Sequence, residues 1–386
     1  MRRILIVSTC IEEWGGSEEL WGRSVPLLQA AGFHISVVKD SINKIHPEFK
    51  RLSESGVSLL EVNPHLGVFK RYKNLFGKVF RKTAEKLHIL PYQGENFEKF
   101  KGIVVSEAPS LVLISQGINF DGLKLAYQCF LLGVPYVVLA QKAVDFYWPL
   151  PYDRGFMLNA LQNAKKCYFV SNHNLRLTEE QFGERLPNAE VIYNPIKLSR
   201  NVVPYPKSDE TFKLACVGRL FLLDKGQDIV IRIMAEQKWK NRPLHVSFFG
   251  KGLDKEGLQG MANLLGVTKI DFKGQIDDVG SIWNEYHALI LASRSEGLPL
   301  SIVEAMSAGR IAITSDAGGN KEVVQDGING FVGAPYEPAF DDAMERAWQK
   351  RDKWKEMGEN AALYVKNHFP VNPEKYFVSL IVDLIK

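Results

Sequence analysis

The sequence predicts an α/β protein of two doubly wound parallel sheets, each with helices on both faces. Three observations carry that reading. Short apolar runs alternate with helical patterns along the whole 386-residue chain, as sheets buried on both faces require. That length exceeds one ordinary core and suits two domains of about 150–200 residues each. A proline-bearing stretch without periodicity, Asn201-Val-Val-Pro-Tyr-Pro-Lys-Ser-Asp-Glu210, separates two alternating series and reads as the link between them.

In the first series the strands read Ile4–Val7, Ile35–Val38, Leu111–Ile114, Tyr136–Leu139, Tyr168–Val170 and Val191–Tyr193. In the second they read Leu214–Val217, His245–Phe249, Ile270–Phe272, Leu289–Leu291 and Ile311–Thr314. Residues 1–203 and 204–371 are therefore expected to form two Rossmann-like domains facing a cleft. After a break at His368-Phe-Pro-Val-Asn-Pro373, an apolar stripe resumes at helical spacing through Tyr376, Phe377, Leu380, Ile381 and Leu384. Ligands of open α/β sheets bind beyond the carboxyl ends of the strands, so the loops after strands are where chemistry is sought.

A hydrophobic content of 46% with 24% charged residues is that of a soluble globular protein. The net charge of +4 is too small to argue for nucleic acid. Cys10, Cys129, Cys167 and Cys216 lie beside apolar runs with no C-x-x-C, which reads as structural thiols in a reducing cytosol. Met1-Arg-Arg-Ile-Leu-Ile-Val starts like a signal peptide, but Glu12 and Glu13 follow and a first strand is the better reading. No run of about 18 apolar residues is present, so no spanning helix is expected.

The most informative segment is Glu296-Gly-Leu-Pro-Leu-Ser-Ile-Val-Glu304. It follows an apolar run and leads into a helical pattern that ends at Gly309, so it reads as strand, tight loop, helix. Pro299 suits the first helical position. The amides of Leu300, Ser301 and Ile302 then face the loop at the positive end of the helix, a site for anions. Glu304 stands about 7–8 Å along the axis from Pro299 at 1.5 Å per residue. Two carboxylates so placed are too far apart to share a proton. They are spaced to grip hydroxyls on either side of a phosphate, the layout of a nucleotide-sugar. The plainer alternative is a pair of surface glutamates on a solvated helix.

This segment closely resembles the E-x7-E signature of retaining glycosyltransferases of the group 1, or family 4, type. Thr314-Ser-Asp-Ala-Gly-Gly-Asn-Lys-Glu-Val-Val-Gln-Asp-Gly-Ile-Asn-Gly-Phe-Val332 continues the match. The resemblance implies the GT-B fold, with the last helix (372–386) crossing back to the first domain. It also implies that Glu296 contacts the transferred sugar, Glu304 the ribose, and the backbone of Gly297, Leu298, Pro299 and Leu300 the phosphate.

Cys216-Val-Gly-Arg219-Leu-Phe-Leu-Leu-Asp-Lys225-Gly226 resembles the family's G-R-L…K-G motif. Cleaving a sugar from a nucleoside diphosphate builds negative charge on the leaving oxygens, and fixed cations stabilise it. Arg219 offers a bidentate fork and Lys225 a point charge. Trp14-Gly15-Gly16-Ser17-Glu18-Glu19 resembles the family's Gly-rich loop over the donor phosphate. Alternatively, its glycines only make the turn and its acids favour the helix dipole. Phe248-Phe-Gly250-Lys-Gly252 is a lone G-x-G whose sixth position is Lys255, which disfavours a nicotinamide dehydrogenase. By resemblance Gly250 lines the nucleotide side.

One departure stands out: where many relatives have a histidine, this chain has Gln141. Glutamine can hydrogen-bond a sugar hydroxyl but cannot carry a proton. No D-x-D pattern lies near the cleft loops, so no metal and no cofactor are expected beyond the nucleotide-sugar donor. Segment 68–87 carries seven basic residues against one acid with apolar residues at helical spacing. It reads either as contact with anionic lipid or a lipid-diphosphate acceptor, or as a core-packing helix with a solvated basic face.

The expectation is a cytoplasmic chain, peripheral to the membrane if the lipid reading of 68–87 holds. It would be a retaining hexosyltransferase acting on a glycan or lipid-linked acceptor in polysaccharide or cell-envelope biosynthesis. A nucleotide-sugar epimerase and a non-catalytic nucleotide-sugar-binding subunit are the alternatives.

Overall fold

The computed structural model describes residues 2–10, 12–62, 97–198, 201–207 and 211–386. Segment 68–87 lies outside them. The chain divides into two compact units. One is Met1–Phe169 with Leu175–Ile192 and Asn372–Lys386; the other is Val170–Asn174 with Tyr193–Val371. Among the described residues no helix is long and apolar enough to cross a membrane.

The first unit holds seven strands: β1 (Arg3–Ser8), β2 (His34–Lys39), β3 (Ser58–Glu61), β4 (Leu111–Gln116), β5 (Tyr136–Ala140), β6 (Cys167–Phe169) and β7 (Ala189–Val191). All pair in parallel, in the order β3-β2-β1-β4-β5-β6-β7. The central strands are buried on both faces, which is why they read as unbroken apolar runs. The short edge strand β3, half-buried along its length, was not visible in the sequence because Ser58-Leu-Leu-Glu61 has no such run. β7 lies two residues earlier than its apolar residues indicate, although the Ile192 amide still reaches the Phe169 carbonyl at 2.8 Å.

Helix Gly16–Ala30 contains Pro26. Proline has no amide to give the carbonyl four residues earlier, and Arg51 Nη2 supplies the missing donor to that Gly22 carbonyl at 3.3 Å. The last helix, Pro373–Ile385, is part of this unit. It buries Phe377 and Ile381 completely, with Phe377 edge-on to Tyr168 at 5.4 Å between ring centroids.

The second unit holds β8 (Phe212–Val217), β9 (Leu244–Phe249), β10 (Ile270–Gly274), β11 (Ala288–Leu291), β12 (Ile311–Ser315) and β13 (Gly330–Gly333) in the order β10-β9-β8-β11-β12-β13. Glycines at both ends conceal β13 in the sequence. Gly330 is required there, because a Cβ would sit 2.4 Å from the Ala312 carbonyl oxygen. The described part of the stretch read as a linker, 201–207, lies within this unit and has no regular structure. Buried Arg310 pins it, donating to the carbonyls of Val203 at 3.2 Å and Pro204 at 2.7 Å. The same guanidinium also reaches the carbonyls of Tyr286, Trp283, Ala308 and Gly309.

Each sheet reverses its strand order once, between β1 and β4 and between β8 and β11. In an open α/β sheet the crevice beyond the carboxyl ends of such a strand pair is the preferred ligand position.

Candidate functional site

In the second unit the two charged motifs meet at this crevice. Arg219 and Lys225 follow β8, and Glu296 follows β11. Lys225 Nζ lies 2.6 Å from Glu296 Oε1, and the same oxygen accepts the Ser293 hydroxyl at 2.6 Å. Glu296 is only 5% exposed. Arg219 is half-exposed and pairs with Asp224 at 3.1 Å. Behind them Asp228 takes a two-pronged grip from Arg294, at 2.7 and 2.8 Å. Those bonds and the charges of Arg294 and Arg232 outweigh burial and hold its carboxyl below the usual carboxylate range. The Arg294 amide donates to the Asp224 carbonyl at 2.7 Å, so the β8 and β11 loops are tied together through backbone and side chain.

Glu296, Gly297 and Leu298 lead into helix Leu300–Ser307. Pro299 stands one residue earlier than expected, as the residue before the helix with φ −68° and ψ 124°. The Ile302 amide donates to the Pro299 carbonyl at 3.2 Å. It is therefore not among the open amides, and the first turn offers those of Leu300 and Ser301. Glu304 is buried one turn along the helix and accepts the Lys197 amide at 3.0 Å.

Glycines let these loops nest. Gly226, with φ +59°, would place a Cβ 2.1 Å from the Ala292 carbonyl oxygen, so Lys225 can lie against the β11 loop only because its neighbour lacks a side chain. Gly250 would clash in the same way with the Gly218 carbonyl oxygen at 2.0 Å. That contact gives the G-x-G a packing reason independent of any phosphate. Gly318, with φ +56°, would meet the Glu296 carbonyl oxygen at 2.1 Å, and the Gly319 amide donates to the Gly297 carbonyl at 2.8 Å. Sequence reasoning assigned no role to Ser293, Asp224, Gly318 or Gly319. The glycine pair lay in plain view inside the matched stretch Thr314–Val332; the serine carried no signal.

In the first unit, Gly15, Gly16 and Ser17 stand at the start of the helix after β1, next to the loop after β4. The acids of this motif do not act as solvated dipole partners. Glu18 is fully buried and bonds Lys39 Nζ at 3.0 Å, the Ser8 hydroxyl at 2.9 Å and the Gly15 amide at 3.0 Å. Lys39, itself 3% exposed, also donates to the Glu12 carbonyl at 3.0 Å. A buried ion pair thus holds the glycine loop at both ends. Glu19 bonds Trp14 Nε1 and Arg23. Burial pushes the Cys10 thiol beside this pair up to about 12, consistent with an inert structural thiol. Gln141 is buried directly after β5.

With this geometry in place, the chain can be set beside known proteins. Residues 200–364 match the glycosyl transferases group 1 family. The matched residues lie within the second unit. The chain is 28% identical over 202 residues to lipopolysaccharide 1,6-galactosyltransferase of Salmonella typhimurium, covering 49% of this chain and 54% of that one. The Escherichia coli protein of the same name is 30% identical over 164 residues, 38% of this chain and 42% of its own. The chain therefore spans about half the length of the curated relatives it matches. Among solved structures, Anabaena HepE in complex with UDP superposes with a TM-score of 0.72 at 18% identity, covering 99% of this chain and 100% of that one. The chain thus has the GT-B fold.

Proposed function

We propose that the chain is a retaining glycosyltransferase that moves a hexose from a nucleoside-diphosphate sugar to a hydroxyl of a glycan or lipid-linked acceptor. The observation that carries this reading is the meeting of Lys225 and Glu296 at 2.6 Å, beyond the adjacent strands β8 and β11 and beside the start of helix Leu300–Ser307. A diphosphate placed there finds Lys225, Arg219 and the open amides of the helix start, and Glu304 one turn further holds the ribose. As the sugar–phosphate bond breaks, charge builds on the departing diphosphate, and these groups stabilise it. With two cations present, no metal ion is needed for that task. Departure and attack on the same face, through an oxocarbenium-like state, would let the leaving phosphate take the acceptor proton. Donor binding must exchange the Lys225–Glu296 pair for contacts with phosphate and sugar.

Support for the substrate class comes from relatives. Two are named lipopolysaccharide galactosyltransferases, and HepE has been crystallised with UDP-glucose. Those names also support a role in cell-envelope polysaccharide biosynthesis as part of this proposal.

Thermal-shift screening of nucleotide-sugars against wild type, Glu304→Ala and Lys225→Ala tests the donor site. One donor should raise the melting temperature of wild type and shift both variants much less. If no nucleotide-sugar stabilises the wild type, or all three proteins respond alike, the reading is wrong.

A further inference from the structure

The loop after β5 has a composition that donor binding does not call on. Between Asp145 and Asp153 it reads Phe146-Tyr-Trp-Pro-Leu-Pro-Tyr152, seven residues without a charge. Phe146, Trp148 and Tyr152 are 75%, 53% and 57% exposed. A contiguous exposed apolar patch of this kind marks an interaction site.

The loop is held in shape from beneath. Asn119 and Gln181, both buried, form a hydrogen-bonded pair at 3.0 Å. Asn119 accepts the Val144 amide at 3.2 Å and donates to the Tyr147 carbonyl at 3.3 Å. Gln181 donates to the Val144 and Tyr147 carbonyls at 2.8 and 3.0 Å. The Tyr147 ring packs on Phe120 at 5.3 Å. Phe120 itself has φ +74°, a conformation that non-glycine residues rarely adopt. Trp148 Nε1 donates to the Asp145 carbonyl at 2.8 Å, and Pro149 and Pro151 each fix a backbone angle. Two buried amide side chains therefore hold the backbone from which these aromatic rings face solvent.

We propose that this loop is a carbohydrate-stacking platform, on which the faces of Phe146 and Trp148 receive the C–H faces of pyranose rings. That the sugar belongs to the acceptor rests on the transferase reading; the stacking does not. Aromatic ring faces carry partial negative charge and attract the polarised C–H groups of a sugar. Aromatic rings on a held backbone, with only two side-chain torsions each, lose little conformational entropy on binding. The loop begins at Gln141, at the carboxyl end of a sheet strand, where ligands of this fold class bind. A bilayer interface also attracts tryptophan and tyrosine, but it imposes no ring orientation and uses a free indole N–H. Here the backbone is fixed and the indole N–H is already bonded.

The test uses the full chain as wild type, Trp148→Ala, Phe146→Ala and Trp148→Phe. Saturation-transfer NMR is run with the methyl glycosides of glucose, galactose and N-acetylglucosamine and with lactose. Sedimentation with phosphatidylglycerol/phosphatidylcholine vesicles runs in parallel. At least one sugar should receive saturation from the wild type. The signal should fall at least fivefold in both alanine variants and return in Trp148→Phe, with vesicle sedimentation equal throughout. The proposal is overturned if no sugar is saturated by wild type or if the alanine variants match it. It is also overturned if those variants lose vesicle binding instead, which would make the loop a bilayer anchor. Nucleotide-sugar thermal shifts on the same samples separate the two readings. A donor shift without sugar contact removes the platform alone, and sugar contact without any donor shift removes the transferase.

Discussion

Two buried side chains show how much a single residue carries here. His287 is 1% exposed; its Nδ1 accepts the Lys213 amide at 3.0 Å, and its Nε2 is buried with no hydrogen-bond partner among the described residues. Burial, with the nearby Arg310 and Lys213 cations adding to it, pushes its pKa down to about 4. The unfolded chain takes up this proton near pH 6.5 and the folded chain only near pH 4. Stability is therefore full above pH 6.5 and falls as the pH drops from 6.5 to 4, by about 3 kcal/mol from this group. His287→Asn keeps an acceptor for Lys213 and does not titrate. Urea unfolding at a series of pH values should show a flatter acid limb for that variant than for wild type. The Lys39–Glu18 pair makes a second prediction. Removing one partner leaves the other charge buried, so Lys39→Met should cost about 3–5 kcal/mol. Glu18→Gln in the same chain should recover part of that loss. Equal losses in the single and double variants, measured by denaturant unfolding, would show that the pairing contributes nothing.

At the scale of elements, the loops are set by carbonyls and glycines more than by side-chain chemistry. Arg310 satisfies six backbone carbonyls drawn from Val203–Pro204, Trp283, Tyr286 and Ala308–Gly309. Burial pushes its pKa down to about 10, so it stays charged at neutral pH. Arg310→Met fills similar space without donors and should destabilise the second unit by at least about 3 kcal/mol, since each stranded acceptor costs about 1–3 kcal/mol. Chemical denaturation followed by tryptophan fluorescence reads this. Gly226→Ala adds a Cβ 2.1 Å from the Ala292 carbonyl oxygen at φ +59°. A left-handed non-glycine residue alone costs about 1–2 kcal/mol, and the clash pushes Lys225 away from Glu296. Loss of the donor-induced melting shift together with modest destabilisation is expected; a full donor shift would mean that the loop relaxes without moving Lys225.

At the scale of the molecule, the first unit is assembled from three separate stretches of chain, the last being Asn372–Lys386. Helix Pro373–Ile385 supplies Phe377, Val378 and Ile381 to a core that also contains Trp21, Leu28 and Tyr168. Three such side chains at about 1.5–3 kcal/mol each amount to about 5–9 kcal/mol. A chain ended at Val371 should therefore lose most of the stability of the first unit while the second unfolds as before. Differential scanning calorimetry of the shortened chain should show the first unit's transition moved sharply down. Adding a peptide of residues 372–386 in trans should raise it again.

The sequence alone determined the alternating α/β pattern, the two-sheet plan, and the loops worth searching, because strands buried on both faces must be apolar throughout and glycine loops must follow them. It also brought forward Glu296, Glu304, Arg219 and Lys225. The tertiary structure decided what each of these touches. Lys225 and Glu296, 71 residues apart, become a pair because β8 and β11 are neighbours in the sheet, and strand order is a long-range property that no local pattern encodes. For the same reason Ser293, Asp224 and the Gly318–Gly319 turn entered the site unannounced. The stretch that reads as a free linker was pinned by an arginine more than a hundred residues away. The acids of the glycine loop, which suit a solvated helix start, were drawn inside by Lys39, since only the fold brings the end of β2 to that turn. Periodicity reports which face of an element is dry; which charge waits on the other side of it is settled by packing.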